Sequence, residues 1–164
     1  MLGRTRSGLL DGAARAFAAE GLRATTMQSI ARAAGVAKGT LYNHFRTKDE
    51  VARSLLAREL RRLADDAAAR PPAAALAGLA DELAGHPVLR RLRVTDPGVL
   101  VELLAVPAER WAALTADLAA VLGVPADAAE LPARWLLGVA LQPGRSTARH
   151  RAAGQLAAVL AGPG

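Results

Sequence analysis

The chain has 164 residues, of which 52% are hydrophobic and only 3% aromatic, and its formal net charge is +6. This length allows one medium-sized or two small domains, with a core built mainly of Ala, Leu and Val. The chain has no cysteine, which excludes disulfides and Cys-based zinc sites. It also lacks a recognisable signal peptide and any charge-free apolar run of roughly 18 residues, so we expect a cytoplasmic protein without a membrane span.

The excess of positive charge lies in the first part of the chain. Residues 1–62 hold 12 Lys+Arg against 5 Asp+Glu, whereas residues 63–164 hold 9 against 10. A polyanion such as DNA would be attracted to the first part, with an affinity that depends on salt. A general preference for Arg in this composition is the alternative explanation.

The chain opens with a short basic arm, residues 1–7, which contains Arg4 and Arg6 and which we expect to be mobile. A first helix is predicted from about residue 7 to residue 20, and Gly21 ends it. Its buried stripe at helical spacing is Leu10, Ala13, Ala14 and Phe17.

Two short helices with a glycine corner between them follow. Thr25 and Gln28 have the spacing of a capping box, and apolar residues then recur at helical spacing until Gly35, where a left-handed residue would end the helix. In the second helix Ala37, Leu41 and Phe45 are predicted to face inward. The pattern predicts a helix-turn-helix.

Polar residues occupy the outer arc of this second helix. Charged, hydroxyl and amide side chains of this kind suit phosphate contacts and base edges in the major groove. Gly39 costs roughly 1 kcal/mol within a helix, which suggests a close approach of the backbone to another molecule. An ordinary solvated helix face is the alternative. The outer residues are Lys38, Thr40, Tyr42, Asn43 and His44.

This stretch resembles the amino-terminal domain of the TetR family of transcriptional regulators, over about residues 9–56. The motif residues are Thr25-Thr26, Ile30-Ala31, Ala34-Gly35-Val36, Lys38-Gly39-Thr40-Leu41-Tyr42, His44-Phe45 and Lys48-Asp49-Glu50. The resemblance implies phosphate contacts by Thr26, Thr40, Tyr42, His44 and Lys48, and base readout by Gln28, Lys38 and Asn43. Thr25 and Ala37 belong to the same candidate DNA surface, although Ala37 stands where many relatives carry Ser.

A long helix is predicted next, from a capping box at Thr47 and Glu50 to about Ala69. Pro71-Pro72 then marks a boundary. We therefore expect an all-α protein with a helix-turn-helix domain over residues 1–46, a connecting helix over residues 47–70 and a helical effector-binding and dimerisation domain over residues 71–164.

The carboxy-terminal domain is read as amphipathic helices. Starts are predicted at Pro87, at the Asp96 cap before Pro97, at Pro132 and at the Ser146 cap, and Pro107 is predicted to begin or kink a helix. Two apolar helices at about residues 132–161 predict a homodimer that forms a four-helix bundle. His86, Trp111, Arg134 and Trp135 are candidate ligand-binding residues, the alternative being that the Trp side chains fill the core.

These features favour a dimeric DNA-binding transcriptional repressor that a small-molecule effector releases from a palindromic operator. The alternative is a helical interaction protein that binds DNA without sequence preference and has no effector. An enzyme is not indicated, because the three His residues lack metal-ligand or triad spacing. We expect no cofactor.

Overall fold

The computed structural model describes residues 2–162, with side chains from Arg6 onward. Within this range the regular structure consists of ten helices without a strand, so the predicted all-α fold is confirmed. The helices are α1 Leu2–Glu20, α2 Met27–Ala34, α3 Lys38–Tyr42, α4 Lys48–Ala68, α5 Pro72–Gly85, α6 Pro87–Thr95, α7 Pro97–Leu104, α8 Ala108–Leu122, α9 Glu130–Leu141 and α10 Ser146–Ala161.

A first buried cluster joins α1, α2, α3 and the first turns of α4. Phe17 of α1, Leu41 of α3 and Phe45 are its largest aromatic and aliphatic anchors, each almost fully buried. Helices α1 and α2 touch at Gly12, where an added Cβ would lie 2.5 Å from the Cα of Ala34. The amino-terminal helices therefore form one packed unit.

The start of α1 differs from the prediction. Residues 2–7, expected to be a mobile arm, are the first turns of the helix. The guanidinium of Arg6 lies over the Phe45 ring, 4.6 Å from its centroid. Arg6 also donates to the Ser54 hydroxyl at 3.2 Å, so the early turns of α1 contact both Phe45 and α4. Met1 and the side chain of Arg4 lie outside the described residues.

Helix α4 begins at the predicted cap. The hydroxyl of Thr47 accepts the N–H of Glu50 at 3.1 Å. The Glu50 carboxylate accepts the N–H of Arg46 at 2.8 Å instead of that of Thr47, so only the Thr47 half of the predicted reciprocal box is formed. With 21 residues, α4 is about 31 Å long. Its buried residues are Val51, Leu55, Leu63 and Ala67.

Proline begins several of the later helices, as predicted for Pro87 and Pro97. Asp96 holds the predicted cap position, but it makes no side-chain cap hydrogen bond and accepts the hydroxyl of Thr95 instead. Asp96 therefore lies at the predicted cap position, but the hydrogen bond expected of a capping side chain is not formed.

The last two helices begin at other residues than predicted. Helix α9 starts at Glu130, which makes Pro132 its third residue. The cap position of α10 is Arg145, so Ser146 is the first helical residue and does not cap it. Together with α5 and the ends of α4 and α8, these helices bury a second cluster of Ala67, Ala75, Leu76, Leu122 and Ala153. Among residues 2–162, no helix combines the length and the apolar character that crossing a bilayer requires.

Candidate nucleic-acid interface and ligand cavity

A tight corner over residues 35–37 joins α2 to α3. Gly35 adopts the left-handed conformation, with φ 69° and ψ 29°. Its N–H donates to the Arg32 carbonyl at 3.1 Å, and the N–H of Val36 donates to the Ala31 carbonyl at 3.0 Å. These bonds satisfy the end of α2 and turn the chain, as a helix-turn-helix requires.

The cap of α2 is Thr26, one residue later than predicted. The Thr26 hydroxyl accepts the N–H of Ser29 at 3.1 Å, and the Ser29 hydroxyl accepts the N–H of Thr26 at 2.9 Å. The predicted box between Thr25 and Gln28 is therefore wrong. As a consequence the Gln28 side chain takes no part in capping and is exposed.

Thr25 has an internal role. Its side chain is 1% exposed, and its hydroxyl donates to the Gly21 carbonyl at 2.6 Å. This bond closes the loop between α1 and α2. Because the hydroxyl is buried and occupied, the prediction that Thr25 contacts DNA is wrong.

The inner side of α3 rests on two residues. Leu41 and Phe45 are both 0% exposed, as their spacing predicts. Ala37, the third residue of the predicted inward set, is exposed at the cap position instead. Ala37 therefore adds nothing to the core and lies at the surface beside the outer side chains of α3.

The outer side of α3 carries the polar residues singled out in the sequence. Lys38, Tyr42 and Asn43 are exposed, while Thr40 and His44 are half-buried. The Lys38 ammonium lies 5.7 Å from the centroid of the Tyr42 ring. These five residues, which we call the α3 face, show no side-chain hydrogen bond to other groups in the described part of the chain. Their polar groups are available to an external partner.

Lys48 differs from the α3 face because its ammonium is engaged. It donates to the carbonyls of Leu22 at 2.7 Å and Arg23 at 3.1 Å. The start of α4 is thereby tied to the loop between α1 and α2. An ammonium has three N–H groups, so one remains for a further acceptor.

A cavity of about 580 Å³ lies between α4, α5, α7, α8 and α9. Its walls are leucine, alanine and valine side chains with the ring of Trp111, and its charged lining residues, Arg61, Asp65 and Asp117, are exposed side chains. The interior thus offers hydrocarbon surface and few polar partners. Its apolar lining includes Leu60, Leu63, Leu79, Leu83, Leu104, Leu114, Leu118, Val121, Leu136 and Leu137.

Of the four predicted ligand-binding residues, only Trp111 lines this cavity. The Trp111 indole N–H donates to the Glu130 carboxylate at 2.9 Å, so its polar group is already satisfied. Arg134 pairs with the same carboxylate at 2.6 Å and lies 5.3 Å from the Trp111 ring centroid. Arg134 thus joins α8 to α9 without lining the cavity.

Trp135 and His86 also lie away from the cavity lining. Trp135 packs against the second buried cluster, as the core-filling alternative held. This cavity therefore does not bring His86, Arg134 and Trp135 together. The sequence does reveal the leucines that line the cavity, but their helical spacing marks them only as buried residues.

His86 occupies the junction between α5 and α6, and its Nδ1 is buried without a hydrogen-bond partner among the described residues. Burial lowers the pKa of His86; nearby Glu59 has a smaller effect that raises this pKa, and Arg62 has a smaller effect that lowers it. The folded state therefore disfavours the protonated ring. Because the unfolded chain binds this proton near its ordinary pKa of about 6.5, stability is full above that pH and is lost as the pH falls below it.

We expect His86→Phe to reduce this loss of stability. Urea unfolding of the wild type at pH 7.5 and pH 5.5 should give a lower free energy of unfolding at the acidic pH, and the variant should show a smaller difference. An unchanged pH difference in the variant would show that His86 is not the group responsible.

The amino-terminal helices are similar to those of known regulatory proteins. Residues 9–55 match the family described as bacterial regulatory proteins, tetR family. Over 51 residues the chain is 51% identical to the HTH-type transcriptional repressor KstR2 of Rhodococcus jostii strain RHA1, which covers 31% of this chain and 25% of that protein. The chain thus matches about a quarter of the length of this curated relative.

Solved structures share the fold over nearly the whole chain. The TetR family repressor AlkX from Dietzia sp. strain DQ12-45-1b, described as implicated in biodegradation of n-alkanes, has a TM-score of 0.70 at 20% identity, with 95% of each chain covered. The fatty acid degradation regulator FadR from Bacillus halodurans has a TM-score of 0.65 at 18% identity, with 96% of this chain and 95% of that chain covered. At these identities the likeness shows the fold alone.

The corner between α2 and α3, with an exposed polar face on α3, defines a helix-turn-helix protein. Residues 9–55 match the amino-terminal domain of the TetR family, and the ten helices share the fold of the TetR family repressor AlkX.

Proposed function

We propose that this protein is a sequence-specific DNA-binding transcriptional regulator, a cytoplasmic repressor that a small-molecule effector releases from a palindromic operator. The observation that supports this most is the α3 face, whose exposed polar side chains are unpaired in the described part of the chain and are held outward by the buried anchors Leu41 and Phe45. In this proposal residues 1–46 bind DNA, and residues 71–164 bind the effector and the partner subunit. Residues 47–70 form the helix that connects these two domains.

The DNA contacts divide into two groups. Hydroxyl and charged groups at the edges of the α3 face would hold phosphates and fix the register on the duplex, whereas amide and ammonium groups near its centre would read base edges. Lys48 would offer phosphate its remaining N–H while keeping its loop contacts. The phosphate group is Thr26, Thr40, Tyr42, His44 and Lys48, and the base-reading group is Gln28, Lys38 and Asn43.

The proposed homodimer forms through α9 and α10, within residues 132–161. Gly138 and Gly154 lie on the exposed sides of these helices, and an added Cβ at either would meet nothing within 4 Å. A glycine inside a helix costs roughly 1 kcal/mol, and no close contact in the described part of the chain requires a glycine at either position. A second subunit in close contact would supply the compensation. Exposed neighbours on the same sides include Leu131, Arg134 and Leu141 on α9, and Arg151, Gln155 and Ala158 on α10.

The cavity supports an effector of hydrophobic character. Its volume of about 580 Å³ lies within the range of small-molecule sites. The indole N–H of Trp111 is used by Glu130, and the charged lining residues are exposed. A ligand that requires several internal hydrogen bonds would leave its polar groups unpaired there. A largely apolar molecule fits these walls better.

The proposed regulation is a shift between conformations. An effector that binds one arrangement of α4, α5, α8 and α9 more tightly would increase its population. Helix α4 carries cavity residues at one end and packs in the helix-turn-helix core at the other. Its displacement would therefore change the distance between the two helix-turn-helix domains of the proposed dimer. DNA affinity would then fall.

Site-specific and architectural binding are separated by affinity ratios. A regulator should prefer its selected site over random duplexes by about 10³ or more at physiological salt, whereas an architectural protein should bind both alike. Fluorescence anisotropy over a salt series measures both affinities. Equal affinities at every salt concentration would favour the architectural alternative.

Two substitutions test the assigned roles on the α3 face. Asn43→Ala should cost about 1–3 kcal/mol of discrimination at one base pair, because it removes a base-reading amide. Tyr42→Phe, the matched loss of a phosphate-binding hydroxyl, should weaken binding to all duplexes by the same factor. Binding to a panel of single-base operator variants measures the difference. A uniform loss for Asn43→Ala would contradict its role in base reading.

A further inference from the structure

Arg93 of α6 makes an unusual set of hydrogen bonds. Its guanidinium donates to the carbonyls of Leu83 at 2.7 Å and Ala84 at 3.1 Å, in the last turn of α5. It also donates to the carbonyl of Ala140 at 2.8 Å, in the last turn of α9. One side chain of α6 thus binds the carboxy-terminal ends of two other helices.

The chemistry of these acceptors explains the arrangement. The last carbonyls of a helix lack partners within it, and they carry the negative end of the helix dipole. The carbonyl of Leu83 would bond the N–H of residue 87 in a continuing helix, but Pro87 has none. Arg93 supplies donors and positive charge to both helix ends at once. Burial, with a smaller effect from Arg90, lowers the pKa of Arg93.

Two of the three acceptor residues belong to the cavity wall. Leu83 and Ala140 both line the cavity, one from α5 and one from α9. A molecule that moves these walls apart must change the positions of the carbonyls that hold Arg93. The three donors are fixed in one planar guanidinium. Arg93 therefore cannot keep all three hydrogen bonds if the ends of α5 and α9 move apart.

Helix α6 also contacts α7 and the helix-turn-helix unit. Val88 packs against the first buried cluster. At the far end of α6, the oxygens of Thr95 and Asp96 lie so close to Gly21 that an added Cβ would be 2.9 Å and 2.6 Å from them. Gly21 has φ 83° and ends α1. The end of α6 therefore packs closely against the end of α1. Arg23 adds a longer ionic contact to Asp96, at 3.9 Å.

We propose that Arg93 couples the cavity to the DNA-reading head, by holding α6 to the ends of α5 and α9 so that their separation is transmitted to α1. It is a positioning residue, since it touches neither the cavity interior nor the α3 face. This inference rests on the proposed function. It assigns to one side chain, Arg93, the link between the cavity wall and α6.

The test measures coupling between a dye and DNA. Nile red, a neutral apolar dye, serves as the probe, and its entry is followed by quenching of Trp111 emission. The affinity for a duplex selected from random DNA is measured without dye and with saturating dye. In the wild type, the dye should weaken DNA binding by at least about 5-fold. In Arg93→Met, dye and DNA should each bind nearly as in the wild type, but their affinities should become independent.

Controls keep the roles of folding and charge apart. Arg91→Met removes an exposed arginine of the same helix and should retain the wild-type coupling. Arg93→Lys keeps the positive charge but loses the planar guanidinium. This variant should fold even if Arg93→Met does not, and it should show intermediate coupling. Undiminished coupling in both Arg93 variants would overturn the proposal, as would a dye that binds the wild type without changing DNA affinity. A wild type that binds DNA without site preference would instead contradict the proposed function.

Discussion

Replacing Gly154 by arginine is expected to convert the proposed dimer into monomers and to lower operator affinity by about 10²-fold or more, because two linked heads bind one duplex far more tightly than either head alone. Gly154 lies on the exposed side of α10, where an added Cβ meets nothing within the protomer. The fold of the monomer should therefore tolerate the new side chain, while a closely packed partner should not. Light scattering and DNA titration measure the two effects.

The matched control is Ala116→Arg on the exposed side of α8. It adds the same charge and bulk at a surface outside the proposed interface, so it should leave both mass and operator affinity unchanged. A Gly154→Arg protein with dimeric mass would place the interface elsewhere. A monomeric wild type at micromolar concentration would refute the dimer itself.

Replacing Phe45 by alanine is expected to lower the free energy of unfolding by about 3–5 kcal/mol, the usual cost of removing a buried aromatic side chain. Phe45 is 0% exposed in the first buried cluster, and Arg6 lies over its ring. Since Phe45 follows α3 directly, its loss should also disorder the α3 face and abolish DNA binding. Urea unfolding and anisotropy on the same preparations measure both consequences.

Tyr42→Phe separates stability from binding. Tyr42 is exposed, so the variant should unfold at the same urea concentration as the wild type while binding DNA more weakly. If Phe45→Ala lost no stability, the buried anchor of α3 would be misassigned. If it lost stability but bound DNA normally, the α3 face would not be the DNA contact.

The amino-terminal fold is predictable from sequence because its signals are local. Gly35 ends α2 by adopting a left-handed conformation that glycine favours, and the spacing of Leu41 and Phe45 fixes the inner side of α3. The capping residue of α2 is harder to predict from the sequence. Thr25 and Thr26 are adjacent hydroxyl residues, and Ser29 serves as the reciprocal partner in a position where Glu or Gln is the usual signal.

Contacts distant in sequence decide what the local pattern cannot. The early turns of α1 are held by Arg6 on Phe45, which no periodicity in residues 2–7 reveals. The cavity follows the same rule, because leucines that line a void and leucines that fill a core have the same helical spacing. Arg93 likewise gives no local signal, since its acceptors are main-chain carbonyls on two other helices.

The most direct test of the central claim is selection of the DNA fragments that the protein binds from a random pool. Two identical heads on one duplex predict a palindrome whose half-sites are separated by one helical turn, roughly 34 Å, or a multiple of it. The selected duplex should be bound about 10³-fold more tightly than random DNA. Recovery of fragments without a shared sequence, all bound equally, would contradict the account.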